Sequence, residues 1–468
     1  MNNHRLFRNS WSRSARRPSL APPGPRGLPA LGSLTEMWDD PLQFLLESSL
    51  RYGDVFQFKL GPRPFLFVSH PDAIKHILQD EPRRYGRWPR DNQNYRALLG
   101  HGLLTSEGEI WRRHHRLAQP AFHRRRLETL AGTVVQAVAE VAARWEAHAQ
   151  SGQPIDVGAE MGRLTLAIVT RALYSADASD QTDFIGHSLS QAIRHIAHGL
   201  MLPFALPAVA NRRFLATVRA LDAVVYAIIE NRQRDPQPRD DLLAMLMEAR
   251  DENGVGLSPR ELRDEVLTFL LAGHETSALG LTWIWSLLAQ HPAVEGRLRA
   301  EAALHLVGRA PTYADLGSLP YSLNVIHEGL RMYPPAGSMA RCALSQDELG
   351  GWPVPAGSVV LFSQYVTHRL PSQWARPGDF DPDRFAGGGS AQRPRYSYFP
   401  FGGGQRMCIG SNFALMEMQV ALAMLTDRYH LEAWPGRTVD LRPAMDMYPR
   451  RPIMMRVVPR QTTDAKRD

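Results

Sequence analysis

The spacing of apolar residues changes along the chain, and the changes outline a fold. In DVFQFKLGPRPFLFVSH (54–70) two alternating apolar runs flank Gly61-Pro62. That pattern predicts two strands joined by a turn. PDAIKHILQ (71–79) shifts to helical spacing, with Pro71 suited to a first helical turn. From about 107 to 305 the pattern is overwhelmingly helical. Its sharpest start is Ser258, an N-cap followed by Pro259 at the first helical position and Glu261 completing a capping box. The helix continues through EVLTFLLAGHETSALGLTWIWSLLAQ to about Gln290. It is apolar around its whole circumference, so it should cross the core.

Another helix follows Pro320 and stops at Pro334-Pro335. WPVPAGSVVLFSQYV (352–366) reads as strand and turn, followed by irregular sequence to about 400. A last helix begins after Cys408, and 439–459 reads as strands. The expected fold is mainly α with a smaller β part formed by distant segments, in one domain over 36–468. Length alone, at 468 residues, would suggest about three domains. No long linker or internal repeat past residue 36 supports that division.

Composition narrows the class. Hydrophobic residues make up 44% and charged residues 22%, ordinary for a globular chain. Two cysteines, Cys342 and Cys408, exclude a disulfide-rich secreted scaffold and point to a reducing compartment. The net charge is +7, and Arg5, Arg8, Arg13, Arg16, Arg17 and Arg26 lie in the first 35 residues, with no acid before Glu36. The remainder is close to neutral, so no nucleic-acid partner is indicated. No apolar run is long enough for a membrane span or a secretory signal. Residues 1–35 read as a basic leader, disordered at its start, with APPGPRGLPALG (21–32) as a stiff hand-over. A cytoplasmic location is expected. An organellar matrix is the alternative, because the Arg/Ser-rich, acid-free start resembles a transit peptide.

The candidate chemistry centres on FPFGGGQRMCIG (399–410). The glycines allow a tight turn, Arg406 supplies a fixed charge, and Cys408 sits just before a helix N-terminus. Free N–H groups and the helix dipole there favour a thiolate. Taken alone, a lone cysteine is more often a small buried hydrophobe. No cysteine or histidine set for zinc accompanies it. A sole thiolate ligand fits haem iron, where the porphyrin supplies the other donors.

Phe401-x-x-Gly404-x-Arg406-x-Cys408-x-Gly410 resembles the haem-binding signature of the cytochrome P-450 superfamily. Further family elements appear in family order from about 22 to 459. Glu328-Gly-Leu-Arg331 is similar to the family's ExxR motif, and Pro382-Asp383-Arg384-Phe385 to its PxRF-type segment. Ala272-Gly273-His274-Glu275-Thr276-Ser277 resembles the proton-delivery segment, and Trp111-Arg-Arg-His114-His115 the WxxxR helix with His115 in place of arginine.

The resemblance implies a single-domain P-450 fold with haem b between the long helix and the Cys-loop helix, and Cys408 as axial thiolate. It implies Thr276 and Glu275 as proton-handling residues. Ala272, Gly273, Trp111, His115, Arg341, Phe401, Gly404, Arg406 and Gly410 would surround the haem, with Glu328, Arg331 and Arg384 as a structural network. The implied activity is a soluble, bacterial-type monooxygenase that inserts one oxygen atom of O2 into a small apolar molecule by hydroxylation or epoxidation. A fatty acid, terpenoid or polyketide would contact Trp88, Tyr95, Leu98, Leu103, Phe269, Ala336, Met339 and Met447. Electrons would come from a ferredoxin or flavodoxin with its reductase, so NADPH or NADH enters only indirectly. A monomer is expected. A peroxygenase or hydroperoxide-rearranging enzyme is the alternative, and a non-catalytic haem sensor the third reading.

Overall fold

The computed structural model describes residues 21–175, 179–199, 209–234, 237, 239–435, 440, 442–443 and 447–460. The arginines before residue 21 lie outside them. The predicted hairpin is present: Val55–Leu60 pairs antiparallel with Arg63–Val68, Val55 opposite Val68. It forms one edge of a five-stranded sheet that continues through Val359–Phe362, Met339–Ala343 and Tyr85–Arg87. The register sets Arg87 opposite Arg341. Residues near the start of the chain join this sheet: Gln57 donates its N–H to the Pro23 carbonyl (2.8 Å), and Ser33 to Lys59 (2.8 Å).

The strand reading of the tail needs one adjustment. Met454–Pro459 is a strand, but its partner, Tyr429–Ala433, directly follows the last helix. Ile155-Asp156 completes this small sheet. Residues 436–439, 441 and 444–446 are outside the described set.

The long helix runs Pro259–Leu288, ending two residues before the expected stop. Its capping box is complete: Glu261 N–H donates to Ser258 Oγ (3.3 Å), and Ser258 N–H to the Glu261 carboxylate (2.8 Å). From Leu262 to Leu288 every residue is buried except Ala272, Gly273 and Thr276. Most of that stretch is apolar and contributes to two core clusters, while its buried charges are met by partners, Arg263 by Asp222 and Asp264, and Glu265 by His114. One is built around Trp145, Trp283 and Trp285. The other includes Leu98, Leu189 and Val266. Gly329 of the helix Pro320–Met332 permits close approach to it, since a Cβ there would lie 2.4 Å from Ile284. These contacts make one mainly α body with small sheets at its margins.

Replacing Ser258 by alanine removes one half of the capping box. A loss of about 1 kcal/mol is expected, read as a lower urea midpoint with unchanged slope.

Candidate functional site

The site rests on a buried ion network. Glu328 and Arg331 are both 0% exposed and lie one turn apart on the helix Pro320–Met332. Arg331 Nε and Nη2 donate to the Glu328 carboxylate at 2.7 and 2.8 Å. Its remaining capacity goes to the carbonyls of His368 (2.9 Å), Pro377 (2.8 Å) and Asp379 (3.0 Å). Arg384 Nε joins Glu328 at 3.2 Å and reaches the Ala375 and Arg376 carbonyls. The three residues read from the sequence as a network are brought together. A fork of five N–H donors suits Arg331 to this task in a way lysine could not match.

The network leads to the glycine loop. The His368 backbone is held by Arg331, and its ring Nε2 accepts the Phe399 N–H at 3.0 Å. Burial, with the charges of Arg331 and Arg369, pushes His368 far below its ordinary pKa, so the ring is neutral and can accept. Phe399 opens the loop. Gly402 N–H then donates to Phe399, and Cys408 N–H to Phe401 (both 2.9 Å). Gly404 has φ +63°, and a Cβ there would lie 1.8 Å from the Leu78 carbonyl oxygen. Only glycine fits that contact.

Cys408 stands exposed two residues before Gly410, which caps the helix Ser411–Arg428. The thiol is pushed above its ordinary value by the protein around it, although the Gly410 N–H pulls it down. In the protein alone, burial opposes and the Gly410 N–H favours the thiolate form. The neighbouring Ile409 packs into the cluster containing Phe269, and Phe122 lies between Phe269 and the Cys loop, its ring tilted against Phe269 (centroids 5.5 Å apart) and 3.7 Å from a Cβ placed on Gly410.

Arg406 gathers the positive side of the site. It stacks over Trp111 at 4.0 Å and donates through Nη2 to the Ser106 carbonyl at 2.9 Å. Its Nη1 is buried and has no partner among the described residues. Burial, then Arg87, then Arg341 bring the guanidinium down to about 9, against the pull of Glu107. Arg87 joins this cluster through the cross-strand register that sets it opposite Arg341, which the sequence does not display. Burial and Arg406 also push His115 below its ordinary value, so it offers a hydrogen bond at neutral pH, not a charge. The helix Gly108–Ala118 bearing Trp111 and His115 is fixed by His114, whose Nδ1 lies 2.7 Å from Glu265 of the long helix.

On the long helix, Ala272 and Thr276 are exposed one turn apart. Thr276 Oγ1 donates to the Ala272 carbonyl at 2.6 Å, the local back-bond open to any helical threonine. Glu275 is buried and accepts from Ser190 Oγ at 2.9 Å. Gly273 is closely approached by the neighbouring helix. A Cβ there would lie 2.9 Å from Val169, so its service is packing against the helix Val157–Tyr174.

Sequence reasoning missed Glu417. It is 1% exposed, and neither oxygen has a hydrogen bond among the described residues. Burial lifts its carboxyl to about 8, and the nearby Ser277 hydroxyl, too poorly placed for a full hydrogen bond, opposes this. In the sequence it is one more polar position in SNFALMEMQVALAML.

The proposed substrate contacts separate by burial. Ala336 is exposed, and Trp88, Tyr95, Leu103 and Met339 are partly exposed. Leu98 and Met447 have no accessible surface and Phe269 only 7%, so these three belong to the core packing.

The family model described as Cytochrome P450 matches residues 22–456. Cyclooctatin synthase of Streptomyces melanosporofaciens is 39% identical, over 90% of this chain and 92% of that protein. Cyclooctat-9-en-7-ol 5-monooxygenase of the same organism is 35% identical, again over 90% and 92%. The crystal structure of the haem domain of cytochrome P450DA superposes with a TM-score of 0.87 at 27% identity, covering 94% of this chain and 98% of that one.

Arg331→Lys leaves buried carbonyls and part of Glu328 without donors, at a cost of roughly 3–5 kcal/mol. Urea unfolding should show a loss of that order. Glu417 sets a pH dependence. Its folded-state carboxyl titrates near 8, while an unfolded one titrates near its ordinary 4.5. The folded chain therefore keeps a proton the unfolded chain has released, and stability falls as pH rises between those values. Glu417→Gln should remove that slope, so its melting-temperature advantage over the parent should grow from about pH 5 to about pH 8.

Proposed function

The chain belongs to the cytochrome P450 family and is a monooxygenase of that family, and we propose that it oxidises a terpenoid alkene or alcohol with Cys408 as the single protein ligand to haem. The observation that carries this is the Cys408 loop, tied to a buried ion network on one side and beside clustered arginines on the other. Haem carries two carboxylates and asks for one thiolate. The orphaned Arg406 Nη1, with Arg341 and Arg87 near it, suits the former. Trp111 and His115 would complete that side, with Phe401, Gly404 and Gly410 shaping the loop.

When bound, the haem supplies activation of dioxygen and transfer of one oxygen atom to the substrate. The chain's own residues handle position and protons. Thr276 gives its hydroxyl hydrogen to Ala272, so its oxygen lone pairs are left to accept a hydrogen bond on the exposed stripe. Glu275, held by Ser190, would pass protons toward Thr276. A carboxylate beside an alcohol in an otherwise apolar helix is costly without such a duty.

The terpenoid reading is supported by the two Streptomyces relatives, one named for a synthase of cyclooctatin and one for an alkenol 5-monooxygenase. Trp88, Tyr95, Leu103, Ala336 and Met339 bring no charge and suit such a molecule. Electrons would arrive from a ferredoxin or flavodoxin with its reductase. Exposed Arg112 and Arg116, on the helix bearing Trp111, would meet an acidic donor.

The test is spectroscopic. The haem-loaded protein, reduced under carbon monoxide, should show the strongly red-shifted Soret band of a thiolate complex, and Cys408→Ser should lose it. Adding cyclooctat-9-en-7-ol to the ferric protein should shift the iron toward high spin. A histidine-type carbonyl spectrum would remove the ligand assignment. A normal thiolate spectrum without any terpenoid response would remove the substrate class alone.

A further inference from the structure

We propose that His76, Asp347 and Tyr85 are positioning residues for the Cys408 loop, acting on it through the turn His76–Asp80. This rests on the reading that the loop holds haem. The turn is π-helical: Glu81 N–H closes it by donating to the His76 carbonyl, five residues back, at 2.8 Å. Such turns are rare and occur mostly at functional sites. This one braces two consecutive loop glycines. The Leu78 carbonyl oxygen lies 1.8 Å from where a Cβ on Gly404 would be. Gln79 Oε1 accepts from the Tyr396 hydroxyl at 3.1 Å, and a Cβ on Gly403 would lie 2.4 Å from the Tyr396 ring.

What holds the turn lies outside it. His76 Nε2 donates to Asp347 Oδ2 at 2.8 Å, and the Tyr85 hydroxyl donates to the same oxygen at 2.8 Å. Asp347 begins the strand Asp347–Leu349, and Tyr85 begins the strand that ends in Arg87. The cluster therefore joins the brace of the Cys loop to the strand that carries one of the clustered arginines. Burial works against the Asp347 carboxylate, but the bonds from His76 and Tyr85 outweigh it, and the carboxyl sits below its ordinary value. Burial and the Asp347 bond push Tyr85 far above its ordinary value, so its hydroxyl keeps the proton it donates.

An exposed ion pair would contribute little. Here the Asp347 side chain is only 11% exposed and Tyr85 is buried. Arg84 adds a charge 3.8 Å from Asp347 and pairs with Glu81 at 2.9 Å, while Lys75 pairs with Asp80 at 2.9 Å. Packing does not call for a carboxylate at this place, because Ile77, Leu78 and the Tyr85 ring already share a core cluster. The polar cluster fixes what apolar contact leaves free, the angle at which the Leu78 carbonyl meets the loop.

His76→Phe and His76→Gln are compared with the parent as haem-loaded proteins, reduced under carbon monoxide. In His76→Phe the red-shifted band should convert to an unshifted one about tenfold faster than in the parent, and amide hydrogen exchange over 399–408 should quicken. His76→Gln returns a donor near the Nε2 position and should restore both. Ser258→Ala, which costs stability at the start of the long helix, should change neither. If His76→Phe does not fold, Tyr85→Phe removes a single hydroxyl and should give the same changes in weaker form. The proposal is overturned if either readout in the folded variant matches the parent, if His76→Gln behaves like His76→Phe, or if Ser258→Ala reproduces the effect. A parent without a red-shifted band removes the Cys408 reading instead, and the exchange comparison then decides the brace by itself.

Discussion

Three fully or nearly buried charges, Glu328, Arg331 and Arg384, set the terms for the rest of this fold. A buried ion is tolerable only when every donor and acceptor on it is met. Arg331 alone requires the backbone of residues 368, 377 and 379 to converge on it, and Arg384 adds residues 375 and 376. Irregular sequence with few apolar anchors is thereby given a fixed course. Trp374, with Arg331 at 5.2 Å and Arg393 at 4.4 Å from its ring, closes the arrangement. The His368 ring then fixes Phe399, and through it the loop that ends at Cys408. The thiol's position thus depends on a network that does not touch it.

A second constraint works against stability. Arg87, Arg341 and Arg406 are held near one another, and the cost appears in the depressed pKa of Arg406. Each comes from a different segment: an edge strand, its neighbour in the sheet, and the Cys loop. The sheet register and the loop geometry bring them together, so the cluster could not relax without disturbing both. Such a like-charge group is sensible in a protein that binds carboxylates there, because the ligand relieves the repulsion.

The long helix, its capping box, the first hairpin and the Glu328–Arg331 pair were legible in the sequence because each is written in local spacing, whereas Arg384 entered only through the family resemblance. Ser258-Pro259 and Glu261 state a helix start outright, and i, i+3 spacing places Glu328 and Arg331 on one face. What stayed hidden depends on pairing between distant segments. Arg87 reads as a surface charge until the strand Tyr85–Arg87 is set beside Met339–Ala343. The close packing of Gly273 on Val169 is likewise invisible until the two helices are set side by side. Leu98 and Met447 read as pocket walls, because apolarity marks a core residue and a substrate contact alike.

The two buried glutamates near Thr276 show how environment, more than residue type, divides roles. Glu275 and Glu417 lie on helices that meet in the core, and both are almost fully buried. Glu275 has the Ser190 hydroxyl to meet it, from a neighbouring helix that begins at the margin of the fold. Glu417 has only weak help from Ser277, and desolvation lifts its carboxyl to about 8. At neutral pH it therefore sits mainly as the neutral acid, which burial can tolerate where a carboxylate could not be. Glu275 is adjacent in sequence to the exposed hydroxyl of Thr276, while Glu417 is reached through the buried Ser277. A proton donor that works repeatedly must be recharged from outside, and of the two only Glu275 is held by a residue that is itself partly exposed. On the proposed reading, that asymmetry gives the proton traffic to Glu275 and leaves Glu417 a static, protonated role.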